Sequence, residues 1–344
     1  MPFQRNNKNL SKATLDYVSF LNRVLTRRFL FDIVMWNSVP LSGAISIGGV
    51  VETAILTGLA VGSLIFLVSS GLTLVLGVLG IVNFAHGALF MIGAYLAFQF
   101  LSGEEHGTLY FTVMVVFAGL ATALLGVVAE RFLLRPFYDQ SAESMLLVTY
   151  AVLLTIQGSV QLVWGTSQNT QPKPPILRGA FNFGDSVIPV YDVMLIVIGL
   201  VVFVLLQWMI YGTSFGHQVL AVAEDRYMAS LLGINISRVF MLTFAVATFL
   251  AGVGGALAAP TMSLLPNIAT SFILYSFAVV IIGGFGSITG SLIASLLLGM
   301  LASVLGTYAP GLADFALYLP MLLILFFRPE GLLSRGPKRE VVIA

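Results

Sequence analysis

Apolar runs long enough to cross a bilayer recur along this chain, and few charges fall inside them. Residues 52–77, 110–134, 145–164, 193–210 and 239–259 are the longest, and shorter runs follow at 272–282, 292–305 and 315–327. A helix needs about 20 apolar residues to span the hydrocarbon core, whereas a transmembrane strand needs about ten in strict alternation. These runs do not alternate, so the spanning elements are helices, which satisfy their backbone groups internally. Composition agrees: 58% of the 344 residues are hydrophobic and 9% are charged, against about 25% charged in a soluble domain. The predicted fold class is all-α, a polytopic integral membrane protein.

The placement of the few charges orients the chain. In the first thirty residues Arg5, Lys8, Lys12, Arg23, Arg27 and Arg28 face only Asp16, and Arg328, Arg335, Lys338 and Arg339 crowd the other end. The positive-inside rule therefore makes both termini cytoplasmic. Arg131 and Arg135 put the end of the run 110–134 on that same side. The Glu104-Glu105 loop and the connection 165–192, with Pro172, Pro174 and Pro175, then lie outside. The polar lead is too long, and lacks the small-residue cleavage site, for a signal peptide. Residues 29–36 are too short to span and read as an interfacial anchor with Trp36 at the headgroups. The expected division is a basic, partly amphipathic extension over 1–50, a transmembrane domain over 51–332 and a tail over 333–344.

A cytoplasmic N-terminus requires an even number of crossings. There are eight if 84–101 is broken or re-entrant, and ten if 30–50 also crosses. Asp32, Asn37 and Pro40 weigh against a crossing there, which favours eight. A net charge of +1 implies no nucleic-acid partner, so the bilayer is the partner that composition indicates. The absence of cysteine removes disulfides, thiolate metal sites and thiol catalysis.

Three stretches interrupt the apolar pattern. The first, 77–87, places Asn83 and His86 at membrane depth, where polar groups are costly and face protein or a water-lined cavity. Either the helix is broken here to line a translocation path, with Asn83, His86 and Gly87 on it, or Asn83 caps the next helix and His86 bonds a neighbouring one. The second, 283–290, lacks the GxGxxG spacing of a dinucleotide site and stands between apolar runs. Small residues also pattern two helix faces, at Gly58 and Gly62 and at Ala251, Gly255 and Ala259, where another helix could approach closely. The third and longest, 209–233, brings Met228, Leu231 and Leu232 to helical spacing, with Glu224, Asp225 and Arg226 one turn earlier and Gly233 as a stop. A short amphipathic helix of this kind suits docking to a soluble partner, or lies on the headgroups as a connector.

Chemistry has little to stand on. A phosphate-binding loop needs Gly-Lys-Ser/Thr, and none of Lys8, Lys12, Lys173 and Lys338 follows a glycine. His86, His106 and His217 are isolated, without metal-ligand spacing. No nucleophile–base pairing is visible, so no catalytic residue and no metal ligand is assigned. Ionisable groups are scarce in mid-span, which disfavours a proton-driven carrier.

Ala223-Glu224-Asp225, followed by Ala229-Ser230-Leu231-Leu232-Gly233-Ile234-Asn235, resembles the coupling loop of the membrane subunits of branched-chain amino-acid ABC importers. The resemblance continues through 71–95, where Asn83-Phe84-Ala85-His86-Gly87 and Gly93-Ala94-Tyr95 match a signature stretch, and through 278–299 and 328–331. It covers most of 51–332. It implies a permease subunit of the bacterial inner membrane, paired with a second homologous permease, two cytoplasmic ATPase subunits and an extracytoplasmic substrate-binding protein. The loop 211–238 would seat on an ATPase through Glu224, Asp225, Met228, Leu232 and Gly233, while Asn83, His86 and Gly87 would border the path. No cofactor is implied in this chain, since ATP and magnesium belong to the ATPase subunits. One departure is Leu220-Ala221, where many relatives have Arg-Ala, so an arginine contact to the ATPase is not carried over. The alternatives are the same architecture carrying urea or short amides, and a secondary carrier that needs no ATPase.

The cysteine-free background makes the topology testable with single thiols. Cysteines at Lys12, Ser230 and Lys338 should react only from the cytoplasmic side, and those at Glu105 and Gln171 only from outside. The measurement is labelling of intact cells with an impermeant maleimide. External reaction at position 12 would mean an odd number of crossings.

Overall fold

A computed structural model of the chain describes residues 47–103, 107–138, 140–183 and 186–333. The expected N-terminal extension with its anchor, the crossing considered at 30–50, the Glu104-Glu105 loop and most of the tail lie outside these residues. Among the described residues, six helices are long and apolar enough to cross a membrane and three more are apolar but shorter. The protein is an all-α, multi-pass membrane protein.

The first helix, α1 (Ile47–Leu79), has 33 residues and is about 50 Å long at 1.5 Å per residue. It is followed by α2 (Ala85–Leu101), α3 (Thr108–Ala129) and α4 (Ala142–Trp164). Then come α5 (Val190–Gly212), the short α6 (Ser214–Glu224) and α7 (Arg226–Leu231), and α8 (Ile236–Ala258). The last are α9 (Ile268–Gly283), α10 (Ile288–Tyr308) and α11 (Phe315–Phe327). The centre is built from α1, α2 and α8, most of whose apolar side chains are buried or half-buried, whereas α3, α4, α5 and α11 show many large apolar side chains on their outer faces. That outward display is what lipid requires of a peripheral helix.

Backbones meet where the sequence puts glycine. A Cβ on Gly58 would lie 2.6 Å from Met300 Cα, and one on Gly62 would lie 2.8 Å from Leu296 Cα. One on Gly299 would lie 2.3 Å from the Gly62 nitrogen, so the expected face on α1 closes on α10. The small face of α8 closes on α2 and α3. Gly255 abuts the Phe90 carbonyl, Gly93 abuts Gly252, and Gly252 abuts Thr122. Ala251 and Ala259 are buried beside them.

The interruption at 283–290 is a tight corner between α9 and α10. Gly284 (φ 98°) and Gly286 (φ 74°) take conformations cheap only for glycine. The Ser287 hydroxyl accepts from the Gly290 amide at 3.0 Å to start α10. The chain after α11 returns to this corner: Gly331 packs on Gly284, and the Leu332 amide donates to the Ile282 carbonyl at 2.8 Å. Two separated stretches of the family resemblance thus meet in space.

Several boundaries differ from expectation. The connection 165–192 is not all loop: β1 (Ala180–Phe183) pairs antiparallel with β2 (Ser186–Pro189), Phe181 opposite Ile188. The Val187 amide donates to Thr53 Oγ1 at 3.3 Å, tying this hairpin to the start of α1. Gln171 is only 5% exposed, so exposed Thr170 is the better outside reporter. The starts of α8, α9 and α10 extend into polar residues, because caps and packing hold turns that hydropathy alone leaves out. α3 ends in a π-helical turn (Glu130–Leu134) and a 3₁₀ turn (Arg135–Phe137).

Gly62→Val should force α1 and α10 apart, costing about 1–3 kcal/mol as overpacking does in a filled core. Gly306→Val in α10, where a Cβ would meet nothing within 4 Å, should be neutral. Thermal midpoints of the two variants in detergent, read by size-exclusion recovery, decide this.

Candidate functional site

Two elements carry the site residues: the break between α1 and α2, and the segment from α6 through α7. They meet at the end of the bundle away from the hairpin.

At the break, α1 ends at Leu79 and Gly80 turns the chain with φ 64°. The Asn83 side-chain oxygen accepts from the Ala85 amide at 3.0 Å, and Asn83 is fully buried. His86 is also fully buried, and its Nε2 lies 2.9 Å from the Val68 carbonyl of α1. A carbonyl only accepts, so Nε2 carries the proton. Asn83 Nδ2 and His86 Nδ1 have no hydrogen-bond partner. Val68 stands eleven residues before Leu79, about 16 Å back along the helix. The irregular residues 80–84, which are neither helix nor strand, therefore climb back along α1, and α2 begins deep in the bundle.

Gly87 lies against α9, where a Cβ would stand 2.2 Å from the Ala269 carbonyl. Phe84 packs edge-on against Tyr150 of α4 (6.0 Å) and Phe277 of α9 (5.1 Å). The structure thus gives Asn83 a bond to the first turn of α2, His86 a bond between helices and Gly87 a packing contact. All three sit inside this chain, and of the neighbouring aromatics Tyr150 is the exposed one.

The polar segment is two helices rather than one. α6 is capped by Thr213, whose hydroxyl accepts from the Gly216 amide at 3.1 Å. It buries Val219 and Val222 and rests on the end of α5, where Gly216 meets the Met209 and Ile210 carbonyls. Leu220, at the departure from the family pattern, is partly exposed on this helix. Glu224 is the last residue of α6, not the first of the helix that follows.

Asp225 is extended, and its carboxylate accepts from the Met228 amide at 3.0 Å, capping α7. Gly233 (φ 81°) ends α7. The Ile234 amide donates to the Ala229 carbonyl at 3.1 Å in the six-to-one pattern of a glycine-terminated helix. Asn235 then caps α8 by accepting from the Arg238 amide at 3.0 Å. The similarity Glu-Asp…Gly-Ile-Asn therefore has a local cause: a cap, a stop and a second cap.

Between these caps, Ala229 turns inward and is buried, while Tyr227, Met228, Leu231 and Leu232 point out, Leu232 being 79% exposed. The expected knob of Met228 and Leu232 is therefore wider by Tyr227 and Leu231. The i, i+4 spacing of Tyr227 and Leu231 in sequence carries that signal.

The break, the glycine corner and the capped segment all fall within residues 54–327, which match the family model described as branched-chain amino acid transport system, permease component. The chain belongs to this family. It is 32% identical over 304 residues to the high-affinity branched-chain amino acid transport system permease protein BraD of Pseudomonas aeruginosa, covering 83% of this chain and 97% of that protein. It is 30% identical over 297 residues to the permease protein LivH of the same description from Escherichia coli, covering 83% and 96%. It is also 25% identical over 326 residues to LivM of Escherichia coli, again a permease protein of that description, covering 87% and 72%. As a member of this permease family the chain is a membrane component of a transport system and not an enzyme.

Proposed function

We propose that this permease is the translocating subunit of an ATP-binding-cassette importer that carries branched-chain amino acids across the bacterial inner membrane. The observation that carries the reading is the exposed apolar knob on α7, held rigid by a cap at each end and displayed at the bundle end opposite the hairpin. An apolar patch on a helix with fixed ends is what a groove in a soluble partner can seat. That partner is a cytoplasmic ATPase, two copies of which supply the ATP and magnesium sites. The knob end and both termini are then cytoplasmic, and the hairpin end receives substrate from an extracytoplasmic binding protein. Escherichia coli has two permease proteins of one system description, LivH and LivM, and this chain resembles both. That supports pairing with a second, homologous permease.

The path is assigned to the break. Asn83 and His86 each keep a buried polar atom without a partner, which is costly at this depth. A second conformation that turns the break toward the partner permease would offer those atoms, and non-helical backbone groups of residues 80–84, to the charged ends of an amino acid. Gly87 lets α9 stay in contact as it does so. Asn83→Leu should then reach the membrane at near-parental abundance and transport poorly. A residue acting only as a helix cap would cost about 1 kcal/mol and would show the reverse, reduced abundance with normal transport per molecule.

Met228→Asp with Leu232→Asp should release the ATPase subunits in detergent, since buried apolar anchors contribute about 1.5–3 kcal/mol each. Gly233→Val should weaken docking by straining the stop. Membrane abundance should hold, because these residues pack little against the bundle. Co-purification of ATPase with the permease measures the first effect, and uptake in ATP-depleted cells with the proton gradient maintained measures the second requirement. Normal co-purification with both knob residues charged, or uptake that follows the gradient, would overturn the assignment.

A further inference from the structure

Arg226 begins α7 beside the knob and is itself exposed, yet its guanidinium turns back against the end of the bundle. Nη2 donates to the Leu79 carbonyl, the last residue of α1. The same nitrogen lies 3.5 Å from where a Cβ on Gly80 would stand. The guanidinium carbon sits 5.1 Å from the ring centre of Phe240 in α8. Phe240 packs edge-on against Tyr138 at 5.7 Å, and the Tyr138 hydroxyl donates to the buried Glu130 carboxylate at 3.0 Å, in the turn that ends α3. One side chain thus reaches from the docking segment to α1 and α8, and through Phe240 to the end of α3.

The contact is chemically favoured. The last carbonyls of a helix lack intrahelical partners and carry the negative end of its dipole. A planar cation can bond such a carbonyl while its face lies on an aromatic ring, which an ammonium does less well. The bonded carbonyl is also the last fixed point before Gly80, where the backbone leaves the helix with φ 64°. Asn83 follows three residues later.

We propose that Arg226 is the positioning residue that transmits movement of the docked α7 segment to the break at residues 80–84. The proposal rests on the reading of α7 as the ATPase-docking element. Displacement of α7 carries the guanidinium, and with it the Leu79 carbonyl, so that Gly80 turns and the start of α2 moves. Met228 and Leu232 hold the ATPase, and Arg226 delivers its motion.

The test is amide hydrogen exchange on the assembled transporter, with and without its ATPase subunits, for the parent and Arg226→Met. In the parent, the ATPase is expected to protect 226–233 and to change exchange at 79–84. In Arg226→Met the ATPase still co-purifies and still protects 226–233, but 79–84 no longer responds. Uptake per transporter falls about tenfold, within the ~5–150-fold range of typical coupling between sites. A parental response at 79–84, or uptake within about twofold of the parent, overturns the proposal. If Arg226→Met does not accumulate, Arg226→Lys is measured the same way. It should show a weakened response at 79–84, and a parental response overturns the proposal equally. Absence of protection at 226–233 in the parent would instead reject the docking reading itself, so the two failures are distinct.

Discussion

Helices already in a bilayer have no water left to expel between them, so they hold together through close van der Waals approach. In this permease that approach is made at glycine. Gly58 and Gly62 of α1 meet Gly299 and its neighbours in α10, and Gly252 and Gly255 of α8 meet Gly93 and the Phe90 backbone of α2. With these seams closed, α1 becomes the central rod against which the others register. The bond from His86 to Val68 and the reach of Arg226 to Leu79 both depend on where that rod ends.

The docking segment is ordered by its own short-range bonds more than by the bundle. Asp225, Gly233 and Asn235 fix the two ends of α7 and the start of α8 within eleven residues. A preorganised element loses little conformational freedom when a partner seats on it. Exposed Tyr227, Met228, Leu231 and Leu232 therefore sit on a firm base, not a loose loop.

Most of the helices were legible in the sequence because hydropathy writes their length directly. The corner at 283–290 was legible because its glycines interrupt two apolar runs, and Gly233 because a glycine closes the helical pattern before it. The hairpin was missed: its strands have four residues each, too few for alternation to register, and the Gly184-Asp185 turn signal sat among prolines that read as loop. The division between α6 and α7 was missed because Glu224 and Asp225 look like one charged turn, although the first closes a helix and the second opens one. For Asn83 and His86 the sequence offered two readings, since a polar residue at depth can face a path or a neighbouring helix. The hydrogen bonds seen here belong to the second arrangement, and the unpartnered atoms Asn83 Nδ2 and His86 Nδ1 are what sequence could not register.

The seam between Gly62 and Gly299 also has a bearing on biogenesis. At ~5–20 residues per second, roughly ten to fifty seconds of synthesis separate its two sides. Throughout that interval α1 has entered the membrane without the partner whose backbone its glycines are shaped to meet. A small-residue face left unpaired for that interval is open to non-native helix contacts. The seam between α1 and α10 therefore closes late, after the eight helices between them have been made.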